Sequence, residues 1–195
     1  LGFDTIIGQH DFEKNDISSD CGVPDHIVAQ KAFDVINQHK TPFFTTWLLL
    51  SSHAPFDVPM PNKYTASTDN AGKYKSSVAY SDYALSLFFK KAEKQPWFEN
   101  TVFIITSDHG STHSGWAGVD DFKRFRIPML VYNANIRKVE VADIATPCNH
   151  FDLPLTIAAL SGMDGTDFRF SHNIFCNAKS GSAFWCSDAV AGIYD

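Results

Sequence analysis

Along residues 25–39, DHIVAQKAFDVINQH, the positions Val28, Ala32, Val35 and Ile36 form one apolar stripe at helical spacing behind a Pro-Asp start. This predicts a first helix. Residues 43–52, FFTTWLLLSS, are β-branched, aromatic and continuously apolar. A run this short and this apolar predicts a strand of a parallel sheet, buried on both faces. The proline-rich stretch HAPFDVPMPNKYTASTDN leaves it as a loop. A second, longer helix is expected over 71–94, with Tyr74, Val78, Leu85, Phe88 and Phe89 near one face. Lys90, Lys91 and Lys94 close it where cations suit the helix dipole. TVFIITS (101–107) and PMLVYN (128–133) read as two further buried strands. FDLPLTIAALSG predicts a short helix with Asp152 as N-cap, Pro154 in the first turn and Gly162 as its stop. The stretch from about 163 onward carries weak periodicity and predicts no element. Helices alternating with short apolar strands imply an α/β sandwich with a mostly parallel sheet flanked by helices.

Composition narrows the class. The 195 residues are 44% hydrophobic and 19% charged, as in ordinary globular proteins, and long enough for a real core. A net charge of -6 without any run of Lys or Arg argues against a nucleic-acid partner. The longest apolar run, FFTTWLLL, is far short of the roughly 20 residues that cross a bilayer. Cys21, Cys148, Cys176 and Cys186 lack C-x-x-C or zinc-site spacing. They read as buried or free thiols, or with Cys176 and Cys186 bridging a loop in an oxidising compartment.

The candidate chemistry gathers at two strand ends. Ligands of open α/β sheets collect beyond the carboxyl ends of strands. The first strand runs into SSHAPF with His53, and the second into SDHGSTH with Asp108, His109 and His113. Adjacent Asp and His point to opposite faces of a regular strand, but beyond its end, beside Gly110, both can reach one cation. Carboxylate with imidazole suits Zn²⁺ or Mn²⁺ better than Ca²⁺. The competing reading is an Asx turn with a solvated histidine. Asp152 after His150 reads as plain capping, Arg124 and Arg126 as a solvated pair or an anion contact, and Trp47 and Trp97 as core or rim aromatics.

Context tips that balance. TVFIITSDHG resembles the D-H-G strand end of the alkaline phosphatase superfamily. The string from KYKSSVAYSDYALSLFFKK through that strand resembles its sulfatase-like branch, in particular lipoteichoic acid synthases and phosphoglycerol or phosphoethanolamine transferases. Tyr80, Asp82, Leu85 and Phe88 approximate the branch's Y-x-D-x-x-L-x-x-F helix, and LLLSSHAPFDVP its S-x-H-x-P-F strand end. GFDTIIGQHDF, RIPMLVYN and FDLPLTIAALSGM follow in the family's order, so the resemblance spans about residues 2 to 163.

The resemblance implies a metal-dependent hydrolase or transferase with an alkaline-phosphatase-like fold. Asp108 and His109 match two ligands of a divalent metal, Mn²⁺ or Zn²⁺, with Mg²⁺ or Ca²⁺ as alternatives. His53 matches a histidine that contacts the anionic head group of the substrate and serves catalysis there. His113 has no firm counterpart; it is a substrate contact, a second-metal ligand or a surface histidine. The implied partners are phosphoglycerol, phosphoethanolamine or sulfate ester substrates, with a membrane reached through a segment preceding these residues. The implied location is extracytoplasmic, at a bacterial cell membrane. No C-x-P-x-R or S-x-P-x-R string occurs, and the family's nucleophile lies upstream of its D-H-G strand. Residues 1–195 are therefore expected to form the C-terminal part of a sulfatase-like catalytic domain, inactive in isolation. The alternatives are a sulfuric ester hydrolase and an inactive binding module that keeps the fold.

Overall fold

A computed structural model describes residues 2–17, 22–40, 42–59, 69–111, 121–133, 146–176, 181–186 and 190–195. The chain forms two compact units, Leu1–Phe98 and Glu99–Asp195. Among the described residues no helix is long and apolar enough to cross a membrane.

The first unit is built on two helices, α1 (Asp25–Ile36) and α2 (Asn70–Ala92). The Asp69 side chain starts α2 by accepting from the Gly72 amide at 2.7 Å, which satisfies one of the orphan donors of a helix start. Lys90 and Lys91 lie in its last turn as expected, whereas Lys94 lies beyond it. The buried stripes are Ala29, Ala32 and Ile36 on α1, and Ser76, Ser77, Tyr80, Ala84, Phe88 and Ala92 on α2. This corrects the expected faces: Val28, Val35, Tyr74, Leu85 and Phe89 are half-buried and Val78 is exposed. Small residues line the contact because they let two helix backbones approach, and the larger aliphatics flank the seam.

Residues 42–50 run beside these helices without joining a strand ladder among the described residues. Their burial alternates with a period of two: Phe43, Thr45, Trp47 and Leu49 are half-buried while Phe44, Thr46, Leu48 and Leu50 are exposed. Trp47 packs on Phe88 with ring centroids 5.0 Å apart, and Phe43 meets Trp97 edge-on at 6.0 Å. The reading of Trp47 and Trp97 as core or rim aromatics holds. The expectation of burial on both faces does not, since Phe44 and Leu48 are 62% and 63% exposed.

In the second unit β1 (Phe103–Thr106) pairs with β2 (Met129–Tyr132) in antiparallel register, Phe103 opposite Tyr132 and Thr106 opposite Met129. The α/β class stands, but both ladders among the described residues are antiparallel rather than parallel. An apolar run reports burial and carries no information on strand direction. Even the burial was overread, because Leu130 and Tyr132 are exposed. Helix α3 (Leu153–Ser161) has Pro154 in its first turn and ends at Gly162 with φ 71°, the left-handed conformation that glycine adopts at least cost.

The stretch for which the sequence predicts no element contains a hairpin, β3 (Ala183–Cys186) with β4 (Ala191–Tyr194). Asn149 holds the outer side of β3 with both ends of its amide: Nδ2 donates to the Phe184 carbonyl and Oδ1 accepts from the Phe184 amide, each at 2.8 Å. Cys148, Cys176 and Cys186 are unbridged thiols, so the loop-disulfide alternative is not realised. Burial, and then the charge of Asp152, raise the Cys148 thiol above its usual range.

Candidate active site

Asp108 and His109 sit where β1 ends, both strongly exposed. Asp108 Oδ1 accepts from the adjacent His109 amide at 2.9 Å, one residue short of the bond to the Gly110 amide that the competing Asx-turn reading would require. His109 Nδ1 lies 2.7 Å from the Gly110 carbonyl and donates to it, which leaves the Nε2 lone pair of the neutral ring for another partner. That Nε2 stands 3.7 Å from Asp108 Oδ2. With metal–ligand bonds of about 2 Å each, one cation can bridge two donors at that spacing. The pair therefore fits as part of a metal site. Among the described residues no third His, Cys, Asp or Glu joins it.

Gly110 has a different role from the one its flexibility suggests. A Cβ built there would lie 1.8 Å from the Arg124 carbonyl oxygen and 2.8 Å from its carbon. Glycine is needed because the backbone at Arg124 closes against the strand end. Arg124 itself places its guanidinium over the Phe125 ring, 5.2 Å from the centroid.

His150, which sequence reasoning set aside, reaches this strand end. Its Nε2 is 2.8 Å from the Ser107 carbonyl, one residue before Asp108. Asp152 is more than a cap. It occupies the N-cap position of α3, yet its carboxylate makes no capping bond to that helix. It is 3% exposed and accepts from the Asn149 amide at 2.8 Å, the His172 amide at 2.9 Å and His172 Nδ1 at 3.2 Å. Asn149, His150 and Asp152 thus fasten strand β3, the end of β1 and the segment at His172 to one helix start. A polar triplet at a helix start, denser than one cap requires, is the signal that could have revealed them.

His53 lies in the first unit, exposed, in the turn that follows residues 42–50. Its amide donates to the Leu50 carbonyl at 2.9 Å, and its Nδ1 donates to the Ala54 carbonyl at 2.7 Å. His113 lies outside the described residues. Sequence reasoning also missed the anchor of the His53 turn: Asp25, read as a helix start signal, is fully buried and accepts from the Leu50 and Ser51 amides at 2.9 and 3.0 Å.

Next to Asp25, Tyr80 of the Y-x-D-x-x-L-x-x-F helix shares a hydrogen bond between its hydroxyl and His26 Nδ1. Burial pushes the Tyr80 phenol from 10.0 up to about 12, the His26 bond lowers it, and the charges of Asp25 and Tyr83 raise it further. A raised phenol means that the fold favours the neutral form. Its contribution is complete below pH about 10 and is lost as pH climbs through about 12. Thermal unfolding followed across that range should show stability falling with pH, and Tyr80→Phe should flatten the slope. An unchanged slope in the variant would assign the alkaline loss to other groups.

The chain is 21% identical over 199 residues to the lipoteichoic acid synthase-like YvgJ of Bacillus subtilis (strain 168), covering 92% of this chain and 32% of that protein. It is 22% identical over 214 residues to phosphoglycerol transferase I of Escherichia coli (strain 55989 / EAEC), covering 97% of this chain and 27% of that one. It thus spans about a third or less of the length of these curated relatives. A crystal structure of a protein in the alkaline phosphatase superfamily from Vibrio parahaemolyticus superposes with TM-score 0.83 at 25% identity, over 99% of this chain and 47% of that one. The Sulfatase family model matches residues 1–163, a span that holds His53, the D-H-G strand end and α3 alike, and on that match the chain belongs to the sulfatase family.

Proposed function

We propose that the chain is the C-terminal part of the catalytic domain of a metal-dependent, sulfatase-like phosphotransferase or hydrolase acting on phosphoglycerol or phosphoethanolamine head groups. The observation that carries this reading is the open donor pair at the end of β1, Asp108 Oδ2 and His109 Nε2, 3.7 Å apart. The names of the relatives, lipoteichoic acid synthase-like and phosphoglycerol transferase, support the substrate class. Asp108 and His109 would hold the divalent ion, Mn²⁺ or Zn²⁺ by the chemistry of the donor set. Bound there, the ion supplies Lewis-acid stabilisation of charge on the phosphoryl oxygens.

His53 is read as the residue that meets the anionic head group. With Nδ1 donating to the Ala54 carbonyl, a protonated ring offers its second N–H, on Nε2, to a phosphoryl oxygen. That bond strengthens as negative charge builds in a pentacoordinate transition state. The work of this chain is therefore to hold a cation and to place one imidazole. The nucleophile is assigned to the part of the protein outside residues 1–195. The same reading puts the catalytic domain on the outer side of a bacterial membrane, where such head groups are displayed.

The test compares the full-length protein with its His53→Ala variant on phosphoglycerol, phosphoethanolamine and sulfate ester donors, with metal content measured alongside. Turnover of a phosphodiester donor is expected, falling by about 10²-fold or more in the variant while the metal stays bound. Turnover confined to the sulfate ester would make the protein a sulfuric ester hydrolase. Full activity of the variant, or loss of its metal, would overturn the role of His53. No turnover by a metal-loaded parent would leave a binding module.

A further inference from the structure

We infer that Asp25 is a positioning residue for His53; this rests on the reading of His53 given above. Asp25 is completely buried, and among the described residues it has no Lys, Arg or His within ion-pair range. A buried carboxylate is costly unless hydrogen bonds replace its hydration. Here dipoles alone do so. Oδ1 accepts from the Leu50 and Ser51 amides, Oδ2 accepts from the Ser81 hydroxyl of α2 at 2.5 Å, and the first turn of α1 adds its positive end.

These bonds converge on one place. Leu50 and Ser51 are where residues 42–50 end and the turn to His53 begins, and the carbonyl of that same Leu50 accepts from the His53 amide. The return bond, from the Asp25 amide to Ser51 Oγ at 3.3 Å, locks the link from the other side. Ser52 Oγ is 3.1 Å from Ser81 Oγ, so each residue between Leu50 and His53 is tied to α1 or α2. Helix capping does not account for the carboxylate, because Asp25 is the first residue of α1 rather than its N-cap, and its oxygens bond Leu50, Ser51 and Ser81 instead of amides of α1. An apolar residue at this position would take the acceptor from the Leu50 amide and from the buried Ser51 amide, and a serine would reach in one direction only. The carboxylate instead holds amides with one oxygen and a hydroxyl with the other, which fixes the height and tilt of the turn that carries His53.

If Asp25 acts through His53, its loss should matter only while the imidazole is there. The experiment is a double-mutant cycle in the full-length protein on a phosphoglycerol donor. Asp25→Ala, Asp25→Asn and Ser81→Ala are each made with His53 present and with His53→Ala, and kcat, KM, metal content and Tm are recorded. Asp25→Ala should lower kcat by about tenfold to 10²-fold, the scale of a displacement near 1 Å, with metal content unchanged. Asp25→Asn keeps an oxygen for both amides and should recover most of that loss. In the His53→Ala background none of the three should slow the reaction further. Equal losses in both backgrounds would show that Asp25 supports the fold at large and would overturn the inference. If Asp25→Ala does not fold, the Ser81→Ala cycle decides by the same criterion, since it removes the donor to Asp25 Oδ2 and should lower kcat only while His53 is present. If His53→Ala itself costs nothing, the reading of His53 fails, and this inference with it.

Discussion

Asp108→Ala in the full-length protein is expected to abolish turnover by emptying the metal site. One of the two donors at the end of β1 disappears, and the remaining imidazole has only the Gly110 carbonyl to orient it. Loss of an outer partner of a metal ligand already weakens binding by about 10- to 100-fold, so loss of a direct ligand should exceed that. Asp108 is well exposed, so the variant should melt with the metal-free parent, surface changes being worth about 0.5 kcal/mol or less. Metal analysis and thermal melts therefore separate this outcome from unfolding. An Asp108→Ala variant that retained stoichiometric metal would refute the ligand assignment, whatever its activity.

Gly110→Ala should be nearly as damaging although it removes no donor. Its methyl would lie 1.8 Å from the Arg124 carbonyl oxygen, and neither backbone can yield by rotating a side chain. One of the two segments must shift, at a cost of about 1 to 3 kcal/mol for overpacking of this kind. The segment that moves carries His109 on one side or the approach to β2 on the other. A lowered Tm together with weakened metal binding is the expected result. Gly8→Ala is the control, since nothing lies within 4 Å of a Cβ there and it should leave the protein unchanged. A Gly110→Ala protein with parental Tm and metal affinity would show that the close approach is not required.

What the sequence discloses follows from which forces act locally. Helices α1, α2 and α3 were legible because helical spacing, start signals and stops are short-range: Pro154 and Gly162, for example, act within a turn of their own position. Strand direction was not legible, because Phe103 opposite Tyr132 is a pairing across 29 positions that no local pattern encodes. The D-H-G end stood out as a polar cluster at a strand terminus, but its residues alone left an Asx turn open, and only the resemblance of the whole string to a family favoured metal ligation there. Asp25 was not legible, because a carboxylate that bonds amides 25 residues away looks in the sequence like any other helix start, and neither were His150 and His172, whose partners Ser107 and Asp152 lie 43 and 20 positions away. The β3–β4 hairpin escaped too. Its strands are four residues each, only β3 alternates in exposure, and the aromatic partners of Phe184, Trp185 and Tyr194 are Phe151, Phe125 and Phe122, which lie 33 to 72 positions away and leave no local pattern.

The hold of Asn149 on β3 bears on whether that strand can recruit another. A hairpin of two short strands has an outer edge whose free amides and carbonyls can recruit a strand from another chain, the opening step of edge-to-edge aggregation. The outward N–H and C=O of Phe184 are both occupied by a single side-chain amide, which imitates one residue of a neighbouring strand without offering an edge of its own. Asn149 thereby closes the template at the middle of a four-residue strand, too short to accept a partner on what remains. One asparagine serves as the terminating strand of the sheet.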